Sequence, residues 1–230
     1  MSYNTRSAEE MVPFIMDYIK PKTVLDVGCG IGTWLKVFSK YTAVSNLLGI
    51  DGDYVKKEEF LIAKEQFMPV DLNKAFLLKN RYDLVISLEV GEHLEESAAD
   101  AFIKSLTNHA DVIIFSAAVP YQGGDRHLNS QWPDYWRSKF NSVGFNAHDT
   151  FRRRFWNNEN INWWYRQNMF LYVKKGFMPE KFNQPEPTLL TFIHPELLKK
   201  KAGQADRPEI KEAFIKLIKA LKPGFSFKKY

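Results

Sequence analysis

The sequence predicts an α/β domain, a doubly wound and mostly parallel sheet of seven strands, followed by a C-terminal helical extension. Three observations predict it. The first is the run Thr23-Val24-Leu25-Asp26-Val27-Gly28-Cys29-Gly30-Ile31-Gly32-Thr33-Trp34-Leu35. Apolar and β-branched residues there lead into alternate glycines and then a helical apolar pattern, which is a buried strand, a tight turn and a helix opening. The second is the alternation of apolar runs with helical patterns across residues 1–175, which implies parallel βαβ units. The third is Asp51, nineteen residues beyond Gly32, where such a sheet places a carboxylate for ribose hydroxyls.

Taken in order, Ser7-Ala8-Glu9-Glu10 has the form of a capping box and opens a helix to about Lys20, with Pro13 as a kink or as its true start. The glycine run gives the first strand and a helix through Phe38. A second strand around residues 44–50 ends in Asp51-Gly52-Asp53, and a third near residues 67–70 ends at Asp71-Leu72. Residues 81–89 form a fourth strand, 95–108 a helix, and 111–118 a fifth strand. A polar loop, Val119 to Asn129, precedes a helix over 131–143. Two further strands are expected near 144–151 and 167–174, joined by an aromatic loop, 156–166. Residues 178–195 read as a proline-rich connector. Ile210, Ala213, Phe214, Leu217, Ile218 and Leu221 then mark an amphipathic helix, to be packed on the parent domain or docked on a partner. The expected division is a domain over 1–175 and a basic extension over 176–230.

Composition narrows the classes. The chain has 230 residues, 45% of them hydrophobic, enough for one sizeable core. Its single cysteine, Cys29, excludes an internal disulfide and reads as a small filler in the glycine turn. No apolar run reaches membrane-spanning length and residues 1–10 lack a signal-peptide core, so a cytoplasmic protein without membrane partners is expected. The net charge of +5 is concentrated: residues 196–230 carry +6 and the remaining 195 carry −1. The main domain therefore has no basic balance to favour nucleic acid.

The glycine spacing argues for a particular cofactor. A dinucleotide fingerprint needs a glycine where Thr33 stands. Asp26 would sit beside the cofactor, where a carboxylate suits an ammonium group and repels a pyrophosphate. This D-x-G-x-G-x-G pattern resembles the first motif of the class I S-adenosylmethionine (SAM) methyltransferases. The cofactor-facing set is then Asp26, Gly28, Gly30, Gly32, Asp51, Gly52, Asp71, Leu72, Ser87 and Leu88. Asp71 is either the cap of the adenine amino group, which the resemblance implies, or a helix N-cap.

Beyond the fourth strand, a helical turn would put Glu89, Glu92 and His93 on one face, and His127 arrives from the loop after the fifth. Two carboxylates and two imidazoles suit Mg²⁺ or Mn²⁺. Two other readings stay open: His93 or His127 as a general base without metal, or a helix cap beside a surface histidine. Glu89-Val90-Gly91-Glu92-His93 resembles the E-V-x-E-H element of the small-RNA 3′-terminal 2′-O-methyltransferases and the ubiquinone-pathway O-methyltransferases. That resemblance implies metal binding by both glutamates and His93, with His127 matching the later histidine of the RNA family.

Over residues 1–175 the chain resembles bacterial and large-virus methyltransferases of glycan-biosynthesis clusters. The shared pieces are Asp51-Gly52-Asp53-Tyr54, Ser87-Leu88-Glu89-Val90, Phe115-Ser116-Ala117-Ala118, Gln131-Trp132-Pro133 with Tyr135-Trp136, and Trp164-Tyr165-Arg166-Gln167-Asn168. Some such modules are fused to glycosyltransferases and methylate a terminal deoxysugar such as rhamnose. The resemblance implies a sugar acceptor. Trp132, Trp163, Trp164 and Tyr165 are then expected as stacking faces for its ring, core or lid packing being the other reading of the tryptophans, and Gln122, Asp125, Arg126, Asn129, Arg166 and Asn168 as binding its hydroxyls. RNA ribose 2′-O-methylation and a non-catalytic SAM-binding module are the rival expectations.

Overall fold

The computed structural model describes residues 4–177, 187 and 190–205. The chain divides into a unit spanning residues 1–192 and another spanning 193–230. The first unit is built on one seven-stranded sheet in the order β3-β2-β1-β4-β5-β7-β6. Its strands are β1 (Thr23–Val27), β2 (Asn46–Asp51), β3 (Phe67–Pro69), β4 (Leu84–Leu88), β5 (Val112–Ser116), β6 (Phe145–His148) and β7 (Phe170–Lys174). The first five are parallel, and β7 runs antiparallel to both β5 and β6. This is the expected doubly wound sheet.

Side chains alternate between the two faces, as a period of two requires. Leu84, Ile86 and Leu88 of β4 join one core with Met11, Val12 and Ile15 of α1 (Arg6–Tyr18) and Leu35 and Phe38 of α2 (Thr33–Phe38). Val85, with Leu25 and Ile113, joins the other, against Phe102 and Leu106 of α3 (Ala99–His109) and Trp136 and Phe140 of α4 (Pro133–Ser142). Both β4 and β5 are buried throughout. The strand order reverses between β1 and β4, so the crevice beyond their carboxyl ends is where a ligand would bind.

Several local expectations are corrected. Ser7 and Glu10 form no capping box. The N-cap is Thr5, whose hydroxyl donates to Glu9 Oε1 at 2.9 Å. Ser7 Oγ instead accepts the Asn162 N–H, and the Glu10 carboxylate accepts from Asn158 and Asn160. The polar pair staples the helix to a distant loop, which no local pattern can foretell. The strand expected over 144–151 stops at His148, and α5 (Thr150–Phe155) follows. Asp149 binds Arg152 at 2.7 Å, and Phe151 and Phe155 are buried at helical spacing. The aromatic loop likewise ends in a short helix, α6 (Trp163–Asn168).

The first unit runs past residue 175. Arg137 donates to the Pro187 carbonyl, Arg152 to the Leu190 carbonyl and Thr191 to Asp134, which ties that segment to α4 and α5. In the second unit a helix, α7 (Pro195–Ala205), is described. The amphipathic helix expected over 210–221 lies outside the described residues. No described helix is long and apolar enough to cross a membrane.

Candidate active site

The glycine turn leaves β1 with Gly28, Gly30 and Gly32 all at positive φ, 82°, 54° and 83°. A Cβ on Gly28 would lie 2.2 Å from Val90 Cγ2, so the turn and the loop after β4 approach too closely for any side chain. Asp51 closes the turn from β2. Its Oδ2 accepts the Gly30 N–H at 2.7 Å, and its Oδ1 accepts the Gly52 N–H at 2.7 Å and the Tyr54 hydroxyl at 2.6 Å. Asp26 is 3% exposed, and its Oδ2 has no hydrogen-bond partner among the described residues. Burial, and then the charge of Asp51, raise its pKa well above the usual carboxylate range. Cys29 is buried, its Sγ where a Cβ on Gly49 would fall, and burial pushes its thiol up, which suits a filler and not a nucleophile.

Other cofactor-assigned residues are placed differently. Leu72, Ser87 and Leu88 are buried, and Ser87 Oγ has no partner among the described residues. Asp71 is turned outward, paired with Lys74 at 2.9 Å and accepting the Asn73 N–H. That is a turn-capping geometry, and no helix follows it before Gly91.

Beyond β4 the chain turns sharply. Glu89 has φ 56°, and a one-turn helix over Gly91–His93 follows. The loop after β5 also holds non-glycine residues at positive φ, Tyr121 at 68° and Arg126 at 53°. Such residues cost of order 1–3 kcal/mol each and cluster at functional sites. The two loops are laced together: the Glu92 carbonyl accepts the Leu128 and Asn129 N–H groups, and a His93 ring nitrogen lies 3.3 Å from the Arg126 carbonyl.

One carboxylate oxygen of Glu92 and one ring nitrogen each of His93 and His127 lie within 4.8 Å of one another. The imidazole rings meet edge to face at 4.9 Å. Glu92 is 1% exposed, and neither of its carboxylate oxygens has a partner among the described residues. A buried carboxylate without donors is costly unless a cation joins it. Burial, and then the charge of Glu89, raise its pKa well above the usual range. His127 is held below the ordinary histidine value by burial and by His93, which favours the neutral imidazole that a cation or a proton requires. A mixed set of carboxylate oxygen and neutral imidazole nitrogen fits a divalent cation of the Mg²⁺ or Mn²⁺ type.

Glu89, the fourth expected ligand, stands outside that group. Its carboxylate accepts from Gln122 Nε2 at 2.7 Å and from Asn168 Nδ2 at 3.2 Å. Burial raises its pKa, against these hydrogen bonds and one from Ser116. Gln122 and Asn168 were expected to face a sugar and instead face Glu89. Arg166 is 3% exposed and donates to the Trp156 carbonyl, holding α6 to its preceding loop. The Tyr165 ring is half-buried and meets Trp34 edge to face at 5.4 Å. Burial, and then the Glu89 charge, push its phenol up to about 12.

Trp132, Asp125 and Arg126 are exposed around the His127 loop, while Trp163 and Trp164 are half-buried and meet edge to face. Asn129 is buried, with its amide nitrogen unpartnered among the described residues. Gln167 was not singled out from sequence. It is 1% exposed and donates to Asn168 at 2.9 Å. Two consecutive amides, Gln167-Asn168, running into the buried strand β7 were the available signal.

The parallel sheet with antiparallel β7 and the glycine turn at its switch point give the fold of a class I methyltransferase domain. A family model described as a methyltransferase domain matches residues 3–174, and the chain belongs to that family. Solved structures share the fold. The methyltransferase domain of a bacterial CtHen1-C is 18% identical, over 74% of this chain and 97% of its own, with a TM-score of 0.55. CalS10 of Micromonospora echinaspora, a SAM-bound amino pentose methyltransferase, is 14% identical over 74% and 92% of the two chains, also at 0.55. Magnesium protoporphyrin IX methyltransferase of Synechocystis PCC 6803 is 22% identical over 74% and 79%, at 0.53. No curated protein matches the chain.

Proposed function

We propose that this methyltransferase uses SAM to methylate a hydroxyl of a sugar within a glycan, with terminal rhamnose or another deoxysugar as the acceptor. The observation that carries the reading is Glu92, a buried carboxylate with two unengaged oxygens, grouped with His93 and His127 beside the cofactor turn. The SAM-bound amino pentose methyltransferase among the structural neighbours supports both the cofactor and a sugar acceptor on this fold.

The acceptor oxygen attacks the methyl carbon of the sulfonium, the carbon–sulfur bond breaks, and its electron pair stays on sulfur as S-adenosylhomocysteine. The hydroxyl proton leaves to solvent where both imidazoles hold a cation, and to His127 or His93 where that imidazole is unligated. A divalent cation bound by Glu89, Glu92, His93 and His127 would lower the hydroxyl pKa and hold two vicinal oxygens. Asp26 faces the cofactor's ammonium group, and the strained loops of Glu89 and Arg126 fix the acceptor against the methyl. A glycan acceptor, with docking on or fusion to a glycosyltransferase, is the partner this reading implies.

Calorimetric SAM titration followed by methyl transfer to rhamnosides, other glycosides and short RNAs, each with Mg²⁺, Mn²⁺ or EDTA, tests it. Turnover of a glycoside that EDTA abolishes is expected. Turnover confined to RNA ends would replace the sugar by a terminal ribose, and failure to bind SAM would overturn the reading.

A further inference from the structure

Three side-chain amides run in a line towards Glu89, and their direction is fixed. Gln167 Nε2 donates to Asn168 Oδ1 at 2.9 Å, which leaves Asn168 Nδ2 to donate onward. That nitrogen donates to Gln122 Oε1 at 2.8 Å and to Glu89 Oε1 at 3.2 Å. Gln122 Oε1 also takes the Val119 N–H at 3.3 Å, so Gln122 Nε2 is turned onto Glu89 Oε2 at 2.7 Å. Gln122, Gln167 and Asn168 are 5%, 1% and 2% exposed. An amide flip anywhere in the line would set carbonyl against carbonyl or N–H against N–H. The line therefore demands an acceptor at its end. Glu89 supplies it from a backbone conformation, φ 56°, that a non-glycine residue holds only under constraint.

We propose that Gln122, Asn168 and Gln167 are positioning residues, a directional relay that holds the Glu89 carboxylate just outside the Glu92, His93 and His127 group and sets the direction from which it closes on a bound cation as the fourth ligand. The inference rests on the cation reading above. It assigns Gln122 and Asn168 a task other than touching the sugar, and it adds Gln167. Hydrogen-bond partners behind a ligating carboxylate set its direction, and their loss weakens metal binding about 10–100-fold.

The probe is Mn²⁺ alone, titrated calorimetrically into the full chain, with SAM affinity and thermal unfolding measured alongside. Gln122→Met and Asn168→Leu are expected to weaken Mn²⁺ binding about 10–100-fold while SAM affinity stays within about twofold. Should Asn168→Leu fail to fold, Gln167→Met, which keeps both donors to Glu89, is expected to weaken Mn²⁺ binding by a smaller factor. The exchange Glu89→Gln with Gln122→Glu restores every hydrogen bond of the line with the charge one place back. It is expected to fold and to remain weak for Mn²⁺. Wild-type affinity in Gln122→Met, or recovery in the exchanged pair, would overturn the relay and leave the cation reading standing. No Mn²⁺ uptake by the wild type would remove both.

Discussion

At the end of β2, Asp51 has both carboxylate oxygens engaged by protein donors, whereas beyond β4 neither oxygen of Glu92 has a partner among the described residues. The first region turns on glycines at positive φ, and the second on Glu89, Tyr121 and Arg126 in the same backbone region. The cofactor side is thus largely complete in itself, with Asp26 Oδ2 as its open acceptor. The region beyond β4 and β5 is held strained and unsatisfied, its two loops laced together. Strain and orphaned charge persist only where surrounding structure imposes them, and they mark the place where a ligand completes the protein.

The sharpest break of this contrast is His127→Ala, expected to lower methyl transfer by about 10²–10⁴-fold in kcat, with SAM affinity unchanged by calorimetry. On the cofactor side, Gly28→Ala meets both a positive φ and Val90, and is expected to cost about 1–3 kcal/mol in denaturant unfolding. It should also weaken SAM binding, which His127→Ala does not.

Glu92→Gln sharpens the comparison from the other direction. Removing a buried charge without donors is expected to raise the thermal midpoint by a few degrees, about 1 kcal/mol, while methyl transfer is lost. A lower midpoint would mean that Glu92 is satisfied in the folded state.

The smallest effect lies outside both regions, at His109, which is 1% exposed and stacked on Phe76. Its Nε2 accepts the Leu78 N–H, and burial lowers its pKa below 6.5. The unfolded chain then takes up a proton that the folded chain refuses. Stability is complete above about pH 6.5 and falls as pH drops from there towards the folded value. Urea midpoints at pH 7.5 and 5.5 check this, with a smaller difference expected in His109→Gln.

The sheet was legible because strands buried on both faces read as unbroken apolar runs, as in Val112-Ile113-Ile114-Phe115, and because a glycine turn is local chemistry. Glu92, His93 and His127 were legible for a similar reason: few other tasks gather those residue types after consecutive strands. The partners of Ser7, Glu10, Gln122 and Asn168 were not. Each binds a group between 33 and 155 residues away, set by packing that no window of sequence contains. Asp71 was ambiguous because a turn cap and an adenine cap call for the same residue type, and the structure shows the turn cap.

The antiparallel course of β7 has a consequence for how the crevice is assembled. Phe170 pairs with Phe115, so β7 begins where the parallel strands end, and residues 163–168 arrive at the crevice from the far end of the chain. A strand laid the other way would deliver them to the opposite rim. The segment from Asp149 to Asn168 is therefore a cassette between two strands, anchored at both ends, and its Tyr165 packs on Trp34 just beyond the glycine turn. Exchange of that cassette between related domains would carry with it Asn168, the partner of Glu89, and Tyr165, the partner of Trp34, so both rims of the crevice would change together.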